Sequence, residues 1–143
     1  MPDEMDLKLI RELQNDSRQI NTEVAAKLGI SESTVRRRIV NLVRKGMVKF
    51  TVIINPEALG FPLSAHMAFQ IQPDKIEEVA GKIAAIDALY SVSVVAGRWD
   101  IVTSGYFRSM GEIYKLVSDE LGKIQGIIKT ETMIILQRTK REY

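Results

Sequence analysis

The stretch NTEVAAKLGISESTVRRRIVNLVRK, residues 21–45, decides how the chain is read. Asn21 is expected to cap a short helix bearing Val24, Ala25 and Leu28. Gly29 follows at once, where a left-handed residue ends a helix. Ser31 then caps a further helix, expected to run to about Lys45 and to stop at Gly46. Only Gly29-Ile30 separates the two helices, and so short a connection forces a steep crossing, the geometry of a helix-turn-helix. At about 100° per residue, Val35, Ile39, Leu42 and Val43 of the longer helix form one apolar stripe, expected to pack inward. Ser33, Thr34, Arg37, Asn41 and Arg44 point the other way, flanked by Arg36 and Arg38. Val40 falls nearer the exposed side than an apolar residue should, and the pattern gives no reason for it.

Charge reinforces the reading of that outer face. The net charge is only +2, and residues 61–143 carry ten Lys/Arg and ten Asp/Glu. Yet Arg36 to Lys49 hold six basic residues (Arg36, Arg37, Arg38, Arg44, Lys45, Lys49) and no acid. A local basic stripe on a nearly neutral chain is a footprint for phosphate, although a merely solvated helix face would look the same. In helix-turn-helix proteins the N-terminal part of the second helix enters the major groove. Ser33, Thr34 and Arg37 are therefore the candidates for base edges, Arg because it donates two bonds to guanine O6 and N7. Arg36, Arg38, Arg44 and Lys45 are expected on phosphates, which add affinity and register without sequence information. Ser31 and Asn41 complete the candidate DNA-binding set.

Upstream, Met5, Leu9, Ile10 and Leu13 recur at helical spacing behind Asp3, Glu4 and Asp6, acids suited to the positive end of a helix dipole. Asn15-Asp16-Ser17 reads as a turn. Residues 1–50 are thus expected to form a three-helix DNA-binding domain, although trihelical units of this size also occur as protein-binding modules and in domains of enzymes. Met47 to Ile54 is rich in β-branched residues and is expected as a strand or small wing, so that residues 51–61 serve as strand and linker.

Residues 62–143 read differently. Leu63, Ala65, Met67, Phe69 and Ile71 alternate with Ser64, His66, Ala68, Gln70 and Gln72, a half-buried strand. Asp74 to Glu77 matches a capping box opening a helix with Ile76, Val79, Ala80 and Ile83 on one side. Tyr90 to Ala96 and Ile101 to Phe107 are expected as a hairpin about a tight turn, Gly97-Arg98-Trp99-Asp100. Ser109 to Glu112 is a second capping box, before Ile113, Leu116, Val117 and Leu121; Ile127 to Gln137 is the last strand. The order βαββαβ is a ferredoxin-like sandwich, giving an α+β fold with both helices on one face of the sheet. The other face would carry Ala68, Val95, Val102, Tyr106, Met133 and Ile135 with His66, Ser91 and Ser93. That is too apolar for water alone, so a second sheet is expected against it and the chain is expected to self-associate.

With these parts in place, the chain resembles the Lrp/AsnC (feast/famine) family along nearly its whole length. Four segments carry the resemblance: Asp6 to Leu13; Glu23 to Val35, continued by Arg38-Ile39, Leu42 and Gly46-Met47-Val48; Asn55-Pro56 with Leu59-Gly60; and Gly97-x-x-Asp100. A helix-turn-helix is shared by many regulators, whereas the two domains in this order, with that turn in that hairpin, are much more specific. The resemblance implies a transcription regulator with a RAM-type sensing domain, which binds double-stranded DNA and dimerises, often forming octamers. It also implies a small effector, commonly an amino acid, near Gly97, Arg98, Trp99 and Asp100. Arg98 offers a bidentate partner to a carboxylate, while Gly97 and Asp100 could serve the turn alone.

Other classes fit poorly. The chain has one histidine and no cysteine, hence no thiolate metal site and no disulfide framework. It has no nucleophile elbow, no phosphate-binding glycine loop and no metal-spaced cluster, so no catalytic residue, metal or cofactor is expected. Siroheme decarboxylases share this two-domain look but are expected to place several histidines and arginines about a tetrapyrrole, where this chain has only His66. His66 itself reads as a satisfied sheet-face residue. An oligomeric sensor whose helix-turn-helix has lost DNA would tolerate acids or prolines where Ser33, Thr34 and the arginines stand. RNA binding by the sheet lacks the paired aromatics it needs. With an acidic N-terminus and no long apolar run, no membrane is expected and the cytoplasm is the expected address.

Overall fold

The computed structural model describes residues 1–139, and the chain splits between Val52 and Ile53 into two compact units. In the first unit, α1 (Glu4–Asn15) starts from a reciprocal cap. The Asp3 carboxylate accepts from the Asp6 N–H (2.8 Å), and the Asp6 carboxylate accepts from the Asp3 N–H (3.2 Å). Helix α2 (Asn21–Leu28) differs from expectation: Ile20 holds the cap position and Asn21 is already helical. The chain enters the helix one residue earlier because the Ile20 carbonyl accepts from the N–H groups of both Glu23 and Val24. Gly29 closes α2 at φ 66°, a left-handed angle that costs glycine nothing. Helix α3 (Glu32–Arg44) begins as expected at Ser31, whose hydroxyl accepts from the Thr34 N–H (3.2 Å), and Gly46 (φ 68°) turns the chain away beyond it.

Leu9, Leu13, Val24, Ala25, Val35 and Leu42 form the core of this unit, with Ile10, Leu28, Ile30, Ile39 and Val48 packed around them. Each fully buried leucine or valine contributes about 1.5–3 kcal/mol, which makes this core, rather than helix propensity, what holds three short helices together. Val43 does not join it and is 43% exposed. The buried stripe centres on Val35 and Leu42, and Val43 lies about 100° round the helix from Leu42. The strand or wing expected over Met47 to Ile54 is also absent: these residues form no regular element. Their β-branched side chains favour extended backbone, but among the described residues no strand lies alongside to complete a ladder. Val52, Ile53 and Ile54 are exposed.

The second unit opens with a single 3₁₀ turn, Glu57–Leu59, and then follows the expected order: β1 (Leu63–Ile71), α4 (Ile76–Ala84), β2 (Leu89–Val94), β3 (Ile101–Phe107), α5 (Met110–Lys115) and β4 (Ile127–Ile134). The strands form one antiparallel sheet in the order β2-β3-β1-β4. Val79 and Ile83 of α4, Ile113 of α5, and Leu116 and Leu121 beyond it bury against Ala65, Met67, Phe69, Ile71, Leu89, Ile101 and Phe107. Both helices therefore cover one face. The capping box at Asp74 does not form. Pro73 starts a 3₁₀ turn one residue earlier, which carries Asp74 inside the turn rather than at its cap. At α5 only half of the second box forms: Ser109 accepts from the Glu112 N–H, while the Glu112 carboxylate reaches the N–H of Arg108 instead of Ser109. Strand β2 begins one residue before, and ends two before, the expected span; β4 stops at Ile134 rather than Gln137.

Register assigns the uncovered face. His66 stands between Ser104 and Met133, and Ala68 between Val102 and Glu131; Ser91 and Ser93 of β2 face Ser104 and Val102. Tyr90 and Tyr106 stack there with ring centroids 4.5 Å apart. His66 Nδ1 and the Ser104 hydroxyl are 2.8 Å apart, so the histidine is hydrogen-bonded in the sheet as expected. Among the described residues no helix is long and apolar enough to cross a membrane.

Candidate functional site

On α3, burial separates two sides. Val35 and Leu42 are buried, while Ser33, Arg36, Arg37, Val40 and Arg44 are exposed. An open groove of about 480 Å³ runs over the exposed side, lined by Glu32, Ser33, Arg36, Arg37, Val40 and Asn41. Its candidate residues are not equally free. Ser31 is committed to the cap, and its hydroxyl is also within 3.0 Å of the Ser33 hydroxyl and 2.8 Å of the Thr34 hydroxyl. Thr34 is half-buried. Arg36 pairs with Glu32 (2.9 Å) one turn back; both are exposed, and such a pair is worth little and exchanges readily for a phosphate. Arg44 Nη2 donates to the Asn41 side chain (3.3 Å). Arg37 and Lys45 make no hydrogen bond or ion pair among the described residues, so the exposed Arg37 fork has its donors open there.

Arg38 is placed otherwise. Its Nη1 lies 2.7 Å from both the Asp3 and the Asp6 carboxylates, and its side chain is only 27% exposed. The paired carboxylates raise its pKa further above the ordinary arginine value, the Asp3 bond first and the Asp6 bond next. Asp3 in turn is held below the usual aspartate range, by the Asp6 N–H first and by Arg38 next. The Arg38 Nε is buried without a partner among the described residues. Arg38 thus ties α3 to the capped start of α1, and a phosphate role for it would require breaking two charge-assisted bonds. Sequence spacing could not show this, because the pairs join residues 32 and 35 positions apart.

In the second unit, Val95 donates its N–H to the Asp100 carbonyl (2.9 Å), closing a loop over Ala96 to Trp99 that is wider than the tight turn expected. Gly97 sits at φ 145° and is exposed, as is Arg98. Asp100 is half-buried, and its Oδ2 accepts from the Ile71 N–H (2.8 Å), where the β1–β4 register shifts. Gln70 Nε2 donates to the Arg98 carbonyl (3.2 Å). Two cations lie against Trp99, the Arg98 guanidinium 5.3 Å and Lys129 Nζ 5.6 Å from its ring centroid. Lys129 was not singled out by sequence; it arrives through the pairing of β4 with β1 opposite Gln70.

These two features meet in known proteins. Residues 3–43 match the AsnC-type helix-turn-helix domain, and residues 64–143 match the Lrp/AsnC ligand binding domain. The chain belongs to the Lrp/AsnC family. Among curated Lrp/AsnC relatives, an uncharacterized HTH-type transcriptional regulator of Pyrococcus furiosus is 36% identical over 100% of this chain and 97% of its own. The HTH-type transcriptional regulator LrpA of Pyrococcus horikoshii is 34% identical over 98% of this chain and 100% of its own. Among solved structures, Escherichia coli AsnC superposes with a TM-score of 0.92 at 19% identity, covering 100% of this chain and 97% of that one. A Neisseria meningitidis transcriptional regulator, crystallised as a complex with L-Met, superposes at 0.91 and 23% identity, covering 99% and 94%. As a member of the Lrp/AsnC family the chain is a DNA-binding transcriptional regulator with a ligand-binding domain, and not an enzyme.

Proposed function

We propose that the chain recognises a specific operator through the exposed face of α3, self-associates through the uncovered face of its sheet, and responds to an amino acid bound near Gly97 to Asp100. The observation that carries the DNA half is the open Arg37 fork on a groove whose opposite helix face is buried. Ser33, Thr34 and Arg37 read bases, Asn41 and Ser31 border them, and Arg36, Arg44 and Lys45 hold phosphates. Arg38 acts by holding α3 in place. Functionally, residues 1–50 bind DNA, 51–61 link, and 62–143 sense and assemble. Double-stranded DNA as partner fits a cytoplasmic address.

Assembly is supported by the uncovered sheet face, where Val102, Tyr106 and Met133 surround His66. Val52, Ile53 and Ile54 form a further exposed apolar run. A homodimer, or an octamer of four dimers, would bury both and tie two recognition helices to two half-sites. For the effector, the L-Met complex of the Neisseria protein supports an amino acid, and Arg98 and Lys129 beside Trp99 supply cations for its carboxylate. The effector acts only as far as it binds one assembly better than another.

Titrating the protein against its own upstream DNA and a random genomic pool, with and without pooled amino acids and at two salt concentrations, tests the operator and effector parts of this reading. Tight, sequence-preferring, steeply salt-dependent binding is expected, with a shift caused by one amino acid. Failure on both DNAs overturns operator binding; indifference to every amino acid overturns the effector class alone.

A further inference from the structure

Val40 remains unexplained by the core. It is 59% exposed and does not belong to the side chains packed about Leu9, Val24 and Val35. Helix propensity gives no reason for it either, because a β-branched residue is a poorer helix former than Ala, Lys or Arg at an exposed site. Single apolar residues on a surface are ordinary, so its neighbours must decide. Val40 lies about 20° round the helix from Ser33 and about 60° from Arg37, and it lines the same groove as Ser33, Arg36, Arg37 and Asn41. It is therefore in the middle of the basic face, one turn beyond the arginine with the open fork.

We propose that Val40 is a specificity-determining residue that packs against a thymine C5-methyl group in the major groove. The inference rests on the reading of α3 as the DNA-facing helix. In that groove the thymine methyl is the one apolar group a base pair presents, and it separates T·A from the other pairs. Polar groups on the neighbouring base edges would each need a hydrogen-bond partner, which a valine cannot supply. An isopropyl group at the centre of a polar, cationic face is thus matched to a methyl and mismatched to every other edge. Arg37, at the adjacent position on the helix, reads guanine by its two donors, so the pair would favour a half-site in which a thymine lies within a few base pairs of a guanine.

The test begins with sites selected by the full-length protein from a random duplex pool. Each thymine of the best site is then replaced by deoxyuridine, which removes the methyl and nothing else, and affinity is measured for wild type and Val40→Ala. Alanine is the better helix former and the position is exposed, so the variant keeps its fold. At one thymine per half-site, deoxyuridine should weaken wild type about fourfold, the ratio matching roughly 0.8 kcal/mol per buried carbon. The same replacement should leave Val40→Ala nearly unchanged. A selected site with no methyl effect, or one whose loss costs Val40→Ala as much as wild type, overturns the contact while DNA recognition stands. No selected sequence at all would remove the DNA reading, and this proposal with it.

Discussion

The Asp100 carboxylate accepts a hydrogen bond from the Ile71 N–H at 2.8 Å, joining the loop between β2 and β3 to the end of β1. The Ile71 side chain is buried, and its amide lies at the point where β1 slips against β4. The acid of the Gly-x-x-Asp pattern therefore has a structural task before any ligand arrives. Asp100→Ala should lower the stability of the second unit by about 1–3 kcal/mol, the cost of leaving a part-buried donor unpaired. Asp100→Asn keeps an acceptor oxygen and should cost less. Trp99 is the only tryptophan in the chain, so its fluorescence during urea unfolding reports this unit. If Asp100→Asn is stable yet blind to the effector, the carboxylate charge also touches ligand.

The arginines of α3 should separate by two measurements. Arg37→Ala is expected to weaken the specific site by about 1–3 kcal/mol and to relax preference at one position. Arg44→Ala should weaken all sequences alike and reduce the log–log salt slope by roughly 0.9, one phosphate's share. Arg38→Met should leave that slope unchanged. Instead it should destabilise the helical unit by about 1–2 kcal/mol, since two charge-assisted bonds to Asp3 and Asp6 are lost. Helical circular dichroism on heating and DNA titration on the same samples distinguish the cases. A reduced slope in Arg38→Met would return this residue to the phosphate contacts.

Asp3 predicts an acid limb. Its folded-state pKa is lowered, by the Asp6 N–H first and Arg38 next, so the native state binds its proton less readily than the unfolded chain. The stability this contributes is complete above the ordinary aspartate range and is lost as pH falls through and below it. Asp3→Asn should accordingly be less stable than wild type at neutral pH, with the difference shrinking as the solution is acidified. Melting of the helical signal at a series of pH values measures it. A constant difference across that window would show that Asp3 acts only as a neutral cap.

Much of the architecture was legible because its signals are local. Ser31, Gly29 and Gly46 bound their helices by caps and left-handed residues that need only near neighbours, and the alternation from Leu63 to Ile71 marks a strand with one buried face. What was missed depends on distant partners. Arg38 looks like a phosphate ligand until the fold brings Asp3 and Asp6 to it. Met47 to Ile54 has the composition of a strand, yet composition cannot supply a neighbour to pair with. Lys129 reaches Trp99 only through strand register. Gly105, unremarked in its strand, lies where a Cβ would stand 2.7 Å from the Ala88 carbonyl and 2.8 Å from the Phe107 ring. The small errors at Ile20 and Pro73 have a nearer cause. In both places the backbone is already helical at the polar residue best suited to cap it.

The uncovered sheet face offers the sharpest test of assembly. Met133 stands opposite His66 on that face and is 43% exposed in the single chain. A lysine there can extend its ammonium into water in an isolated protomer, so folding should survive. Between two sheets the same ammonium would be buried with no acid partner designed for it, at a cost of several kcal/mol. Wild type is expected to associate and Met133→Lys to sediment as a monomer, with its Trp99 unfolding transition little changed. Its DNA affinity should fall as well, because two recognition helices no longer share one assembly, while the salt slope per protomer stays the same. Persistence of the wild-type assembly in this variant would place the interface elsewhere and leave the apolar residues of this face without a partner.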